Sequence, residues 1–169
     1  MNSRRISEIF RSLREQNENP RPELDFTSAY TLLVAVVLSA QSTDKGVNAA
    51  TKDLFAVADT PQKMLELGQE KLIGFIKPVG LYQNKSKHII ELSKALVEQY
   101  DSKVPDELEE LVKLPGVGRK TANIVTNHAY HKTYGIAVDT HVKRLSIRLG
   151  FTKESEPEKI EQDLLRLFD

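Results

Sequence analysis

The sequence contains no cysteine, and its positive and negative charges cancel. Without cysteine, these 169 residues cannot form disulfides, thiolate nucleophiles, zinc fingers or cysteine-ligated iron–sulfur clusters. With 24 basic and 24 acidic residues, nucleic-acid binding would require a local basic patch, because no global field favours it. The longest apolar run, Leu32–Leu38, is too short to span a bilayer, and no signal-peptide pattern is present. The sequence therefore predicts a cytosolic protein.

Apolar residues recur at helical spacing along almost the whole chain. The segment Tyr30–Ala40 is apolar nearly all round, which predicts a central, buried helix. The short apolar segment Tyr134–Val138 fits either a strand or a buried loop. An amphipathic first helix is indicated by residues at i, i+3, i+4 and i+7, namely Ile6, Ile9, Phe10 and Leu13. We expect an all-α fold of about ten short helices.

Several helix ends are marked by residue type. Thr60-Pro61 combines a capping hydroxyl with proline at the first helical position, and the apolar residues that follow predict two short helices. The stretch Ser42-Thr43-Asp44 offers a cap for the helix after the central one, and Asp44 is the residue expected to take that role. Asp139 or Thr140 is expected to cap a helix that ends at Gly150.

A glycine-rich turn is the most informative feature of the chain. The stretch Leu114–Asn123 contains Gly116-Val117-Gly118 and predicts a tight turn that opens a helix. Such a turn presents bare backbone N–H groups and a helix N-terminus, which together bind phosphate. Lys120 lies in the first turn of that helix, and Asp139 follows nineteen residues later. A lysine and an aspartate that converge beside a phosphate indicate covalent chemistry on a nucleic-acid backbone.

Charged residues are unevenly distributed along the sequence. Acidic residues gather at 106–110 and 154–163. Basic residues concentrate between positions 113 and 148, at Lys113, Arg119, Lys120, Lys132, Lys143, Arg144 and Arg148. This separation predicts a basic working face with an acidic back, although a helical protein rich in charge also shows such clusters by chance.

Four stretches of the chain resemble the endonuclease III branch of the helix-hairpin-helix DNA glycosylases. They are Leu38–Asp44, Val79–Tyr82, Leu114–Asn123 and Ala137–His141, in the family's order and spacing. The resemblance covers essentially residues 1–169. It implies a six-helix core domain at 22–133, with the helix-hairpin-helix at about 107–130. It also implies an N-terminal helix at 1–21 that belongs to a second subdomain, and an incomplete remainder of that subdomain at 134–169.

The activity implied by the resemblance is that of a bifunctional DNA glycosylase and abasic-site lyase of base excision repair. It would act as a monomer on oxidised pyrimidines in double-stranded DNA, in the bacterial cytoplasm at the nucleoid. Lys120 matches the family's nucleophilic lysine and Asp139 its catalytic aspartate. A lysine amine must be neutral to attack, so we expect Lys120 to be partly buried or to lie beside positive charge such as Arg119.

The resemblance also implies residues that contact DNA. Gln41 and Leu81 would fill the space left by an extruded base and wedge the opposite strand, and Asp44 would support the site. The expected backbone contacts are Gly116, Val117, Gly118, Arg119, His141 and Lys143. Simpler interpretations remain for several of these residues. Leu81 could be a core residue, His141 a packing residue, Lys120 a solvated helix residue and Asp139 only a helix cap.

The sequence departs from the family pattern in one respect. The family continues into a four-cysteine loop that binds a [4Fe–4S] cluster, whereas this chain has no cysteine and no predicted metal ligands. We expect a fragment or a naturally short member, with a cluster only if a C-terminal segment is missing. Two other functions remain: a non-catalytic or inactive hairpin that binds DNA, and a monofunctional mismatch or adenine glycosylase. Lys120 argues against the second.

Overall fold

The described residues of the computed structural model, 3–18, 20 and 22–168, form nine α-helices and no strand. The helices are α1 (Ser3–Gln16), α2 (Ala29–Ser39), α3 (Asp44–Val57), α4 (Pro61–Ile76), α5 (Tyr82–Gln99), α6 (Leu108–Leu111), α7 (Arg119–Tyr130), α8 (Thr140–Leu149) and α9 (Pro157–Phe168). The predicted all-α class is confirmed, and residues 134–138 form a loop. None of the helices in the described ranges is long and apolar enough to cross a membrane.

The chain divides into two compact units. The central unit is Glu23–Tyr134 and contains the six helices α2 to α7; the terminal unit combines Met1–Pro22 with Gly135–Asp169 and contains α1, α8 and α9. Within the predicted 1–21 segment, residues 1, 2, 19 and 21 lie outside the described residues. The predicted domain boundaries stay a prediction, because a division by contacts does not show that either part folds independently.

Helix α2 is the core of the central unit. Its residues from Tyr30 to Leu38 are all buried, as the apolar run predicts. A capping box starts the helix: the Ser28 hydroxyl accepts a hydrogen bond from the Thr31 N–H at 3.1 Å, and the Thr31 hydroxyl accepts from the Ser28 N–H at 2.9 Å. Helices α3, α5 and α7 pack against α2. Their positions therefore depend on this one buried helix.

Helix α4 is two short helices joined at a kink. The Thr60 hydroxyl accepts from the Lys63 N–H at 3.3 Å, and Pro61 follows at the first helical position, as predicted. At Gly68 the backbone leaves the helical region, with φ 77° and ψ 161°. This conformation is essentially restricted to glycine. The two predicted short helices are thus confirmed.

The terminal unit has a smaller core of its own. Val138, Ile160 and Leu164 are its buried apolar residues. The ring of Phe10 on α1 lies 5.0 Å from that of Phe168 on α9, in an edge-to-face arrangement. The buried carboxylate of Glu161 accepts a hydrogen bond from the N–H of residue 136 at 3.1 Å. These contacts hold the loop that precedes α8.

Two glycines of α4 give opposite predictions for stability. A Cβ at Gly68 or at Gly74 would meet no heavy atom of the described residues within 4 Å, so packing does not distinguish the two sites. Gly68→Ala forces alanine into a conformation that costs about 1–3 kcal/mol. Gly74→Ala, in regular helix, stabilises by about 0.5–1 kcal/mol. Urea denaturation of both variants measures these changes, and a stabilising Gly68→Ala contradicts the kink.

Candidate active site

A tight hairpin joins α6 to α7. The Val117 N–H donates to the Leu114 carbonyl at 3.1 Å, which closes the turn. Gly116 sits in the turn with φ 75°, a left-handed conformation that favours glycine. A Cβ on Gly116 would lie 2.8 Å from the Cβ of His88, so the turn presses directly on α5. Both constraints require glycine at this position.

The hairpin leaves the start of α7 open. Gly118 is the N-cap, and no side chain caps the helix there. The helical hydrogen bonds begin with the Ala122 N–H, which donates to the Gly118 carbonyl at 2.9 Å. The N–H groups of Lys120 and Thr121 therefore have no partner within the helix, and the positive end of the helix dipole is exposed. This arrangement suits an anion such as a phosphate.

The hairpin corrects one expectation about its N–H groups. The Val117 N–H is not bare, because it makes the bond that closes the turn. The Val117 side chain is buried in the core of the central unit. The groups that can meet a phosphate are therefore those of the first turn of α7. Gly118 and Arg119 are exposed beside them.

Lys120 projects from the exposed side of α7. Of the two environments predicted for Lys120, partial burial is wrong, because its side chain is exposed. Arg119, the predicted positive neighbour, precedes it in the same exposed turn. The opposite side of α7 is buried through Ala122, Asn123, Val125 and Thr126. Thr126 donates its hydroxyl hydrogen to the Ala122 carbonyl at 3.0 Å. A helix held firmly on one side thus presents Lys120 to solvent on the other.

Asp139 caps α8 in the terminal unit. Its Oδ1 accepts hydrogen bonds from the N–H groups of His141, at 2.9 Å, and Val142, at 2.8 Å. The predicted cap is confirmed, and α8 ends at Gly150 with φ 75°, also as predicted. Asp139 is half-buried. Two N–H donors to one carboxylate oxygen fix the orientation of this side chain.

The other two candidates of the terminal unit lie on α8. His141 is exposed, so the packing interpretation is wrong, and its Nδ1 lies 3.3 Å from Nη2 of Arg144. Lys143 is half-buried, and its backbone N–H donates to the Asp139 carbonyl at 2.9 Å. Both residues thus follow Asp139 within the first turn and a half of the same helix.

The structure places the turn that contains Gln41 beside the turn that contains Leu81. Both are non-glycine residues with positive φ, 55° and 59°, which is uncommon and strained. Leu81 is 57% exposed, so the core interpretation is wrong. A Cβ on Gly80 would lie 3.4 Å from the Gln41 carbonyl oxygen, in van der Waals contact. We call residues 41–42 and 80–81 the wedge turns.

Asp44 is not the cap of α3. The N-cap is Thr43, whose hydroxyl accepts from the Gly46 N–H at 3.2 Å, and Asp44 is the first helical residue. An acidic residue in the first turn still interacts favourably with the helix dipole. Asp44 is half-buried and close in sequence to the Gln41 turn. Its supporting role stays a prediction.

Lys85 is a buried residue that the sequence motifs do not single out. This lysine is 5% exposed, and its Nζ donates to the Leu38 carbonyl at 2.8 Å and to the Ser42 hydroxyl at 2.9 Å. Burial lowers the pKa of its ammonium group. The sequence does contain a signal for its burial, because the apolar residues Ile89 and Leu92 follow Lys85 at i+4 and i+7, on the buried face of α5. A lysine in such a series indicates a buried cation.

The predicted separation of basic and acidic faces does not hold within the central unit. Lys132 contacts the carboxylates of Asp106 at 2.7 Å and Glu107 at 3.0 Å. Lys113 contacts Glu110 at 2.5 Å. The hydrogen bond from Lys132 holds the pKa of Asp106 below its ordinary value. Exposed ion pairs of this kind contribute little to stability, but they neutralise two of the predicted basic residues.

The described residues do not fit a four-cysteine cluster. The chain has no cysteine, and the described part contains no group of three or more potential metal-ligating side chains. The cluster implied by the family therefore has no ligand among these residues.

The fold and hairpin define a class of protein. Residues 34–169 match the model of the HhH-GPD superfamily base excision DNA repair proteins. The match includes the hairpin, Lys120 and Asp139. The match and the all-helical architecture of the described residues place the chain in this class.

The comparisons with known proteins narrow the class. The chain is 48% identical to endonuclease III of Rickettsia conorii, over 100% of this chain and 80% of that protein. It is 47% identical to endonuclease III of Escherichia coli, over 99% of this chain and 79% of that protein. A solved structure of a trapped endonuclease III–DNA covalent intermediate matches with a TM-score of 0.93 and 39% identity, over 100% of this chain and 79% of that one. The chain belongs to the endonuclease III family and is a DNA glycosylase of base excision repair.

The hairpin geometry makes a prediction for its two glycines. Gly116→Ala places a methyl group against His88 at a positive φ and destabilises by about 2–4 kcal/mol. Gly118→Ala is the matched control: its φ is −91° and its Cβ meets no described atom within 4 Å, so the loss is about 1 kcal/mol or less. Thermal and urea unfolding measure both. Equal losses would contradict the contact with α5.

Proposed function

We propose that this enzyme excises oxidised pyrimidines from double-stranded DNA and then nicks the abasic strand through a lysine Schiff base. The observation that carries the proposal is Lys120, exposed in the first turn of α7 directly after the hairpin. The comparison supports covalent chemistry, since a close structural relative forms a trapped covalent intermediate with DNA. The relatives are bacterial, so we place the activity in the bacterial cytoplasm, at the nucleoid. We also propose that the enzyme acts as a monomer.

The lysine chemistry has two parts. The neutral Lys120 amine attacks C1′ of the damaged nucleotide, and the glycosidic bond breaks as the base leaves with the bonding electrons and takes up a proton. The amine nitrogen then loses its proton as the sugar ring opens, which leaves a Schiff base at C1′. Removal of a C2′ proton breaks the C3′–O bond and releases the 3′ phosphate by β-elimination. Water hydrolyses the Schiff base and returns the amine.

Asp139 is proposed to stabilise the charge that this reaction develops. Cleavage of the glycosidic bond gives the sugar oxocarbenium character, which a nearby carboxylate stabilises. The N–H groups of His141 and Val142 hold the Asp139 carboxylate in one orientation before the substrate arrives. A fixed carboxylate needs no reorganisation during the reaction. Capping and catalysis are therefore compatible roles.

The remaining candidates are proposed to bind and deform the duplex. The first turn of α7, with Gly116, Gly118 and Arg119 beside it, would bind a backbone phosphate. Val117 would contribute by closing the hairpin. On the first turns of α8, the exposed His141 and the half-buried Lys143 would make further phosphate contacts. A target base must leave the stack to react, and Gln41 and Leu81 would fill its place.

Borohydride trapping tests the covalent step. With a duplex that contains thymine glycol, the wild-type chain is expected to form a reducible protein–DNA adduct, and Lys120→Ala is expected to form none. Lys113→Ala is the matched control, because Lys113 is exposed near the hairpin and paired with Glu110. Adduct yield on a denaturing gel is the measurement. DNA binding without an adduct in the wild type would favour a binding module, and base release retained in Lys120→Ala would favour a monofunctional glycosylase.

Two substitutions separate the roles of Asp139. Asp139→Asn keeps an N-cap acceptor, so the free energy of unfolding changes by about 0.5 kcal/mol or less, whereas Asp139→Ala loses about 1 kcal/mol. Both remove the negative charge, so both are expected to lower the single-turnover rate of base release by about a hundredfold or more. Chemical denaturation and base-release assays measure the two effects. An Asn variant with full activity would contradict a catalytic charge.

A further inference from the structure

The two wedge turns lie beside each other. A Cβ added to Gly80 would lie 3.4 Å from the Gln41 carbonyl oxygen and 3.6 Å from the Ser42 Oγ. Gln41 follows the end of α2, and Leu81 precedes the start of α5. Both have a left-handed backbone conformation, which residues other than glycine rarely adopt. Such strain persists only where the surroundings impose it. Some interaction must therefore hold both turns.

Lys85 joins the start of α5 to the Gln41 turn. Its backbone N–H donates to the Leu81 carbonyl at 3.1 Å, which is the ordinary helical bond of the first turn of α5 and would be kept by any residue except proline. The contact that depends on lysine is made by its side chain. Its Nζ donates to Leu38 and to Ser42, which lie on either side of Gln41. One residue thus connects the exposed Leu81 to both flanks of the Gln41 turn.

The chemistry of this contact explains why a buried lysine is present. The Leu38 carbonyl belongs to the last turn of α2, where carbonyl groups lack helical partners and carry partial negative charge. A lysine ammonium satisfies such a group and also reaches a hydroxyl outside the helix. Taking a charge out of water is costly, and it lowers the pKa of Lys85. An apolar residue would fill the same space without that cost, so the hydrogen bonds are the distinctive contribution of lysine.

We propose that Lys85 is a positioning residue for lesion recognition, which holds the two wedge turns together so that Gln41 and Leu81 enter the duplex as one preformed unit. The inference rests on the proposed function, in which these two side chains replace the extruded base. Turns that are ordered before binding lose less conformational entropy when they insert. Without Lys85 the turns remain in the fold, but each must be ordered during insertion.

Lys85→Met is the direct test, because methionine retains an unbranched apolar side chain and donates no hydrogen bond. Lys87→Met is the matched control on the same helix, where Lys87 is 66% exposed and lies 3.8 Å from Glu91. The probe is a duplex with a non-reactive tetrahydrofuran abasic analogue and 2-aminopurine beside it on the opposite strand. Its fluorescence rises when the wedge residues unstack the base. At saturating protein, Lys85→Met is expected to lose about half of the rise or more, and Lys87→Met none.

A kinetic comparison separates positioning from general loss of structure. On a thymine-glycol duplex, Lys85→Met is expected to lower kcat/KM about tenfold. On a single-stranded oligonucleotide with an abasic site, which requires no unstacking, nicking is expected to change by about twofold or less. Equal losses on both substrates would indicate a merely structural role and overturn the proposal. A full fluorescence rise in Lys85→Met would also overturn it.

The fluorescence and kinetic experiments distinguish failure of this proposal from failure of the proposed function. If the wild type gives the fluorescence rise but neither releases a base nor nicks DNA, the proposed chemistry fails while the fluorescence of Lys85→Met still decides the positioning role. If the wild type gives no rise, the wedge itself is contradicted, and the role of Lys85 with it. If Lys85→Met loses its helical circular dichroism, Ser42→Ala decides, because it removes one acceptor of Lys85. A partial loss of the rise supports the proposal, and an unchanged rise overturns it.

Discussion

Burial of α2 on all sides is the constraint on which the central unit depends. A helix with residues 30 to 38 all buried must be covered on every face, and α3, α5 and α7 supply that cover. Covering α2 gives α7 a buried side, and the opposite side then carries Lys120. The same burial creates a problem at the end of α2, where carbonyl groups lack partners. Lys85 satisfies one of them and connects the wedge turns.

Both proposed nucleic-acid contacts of the central unit thus follow from how its helices end. The hairpin leaves α7 with a glycine cap and an open N-terminus, and its turn requires Gly116, which fits against His88 only without a side chain. At the end of α2 and the start of α5, Lys85 joins the two helices, and two strained, exposed turns lie there. Regular helices supply rigid support, and irregular ends supply the groups that can meet DNA.

Local chemistry made much of this predictable from the sequence. The cap at Asp139, the left-handed Gly150 and the break within α4 all follow from residue types at short range. The pairing of Lys132 with Asp106 was not predictable in this way, because it needs partners distant in sequence. The choice of Thr43 over Asp44 as the cap of α3 was not predictable either, because the two residues are adjacent and both residue types cap helices. The roles of Lys120 and Asp139 in one reaction stay a prediction from the family resemblance.

The central claim is that Lys120 is the residue that bonds to DNA. Peptide mapping of the borohydride-reduced adduct tests it most directly: the trapped wild-type complex is digested with nuclease and protease, and the modified peptide is sequenced by mass spectrometry. The account predicts a sugar remnant on the Nζ of Lys120, in the peptide that begins the helix after Gly118. A remnant on another lysine, or on the N-terminal amine, would contradict it.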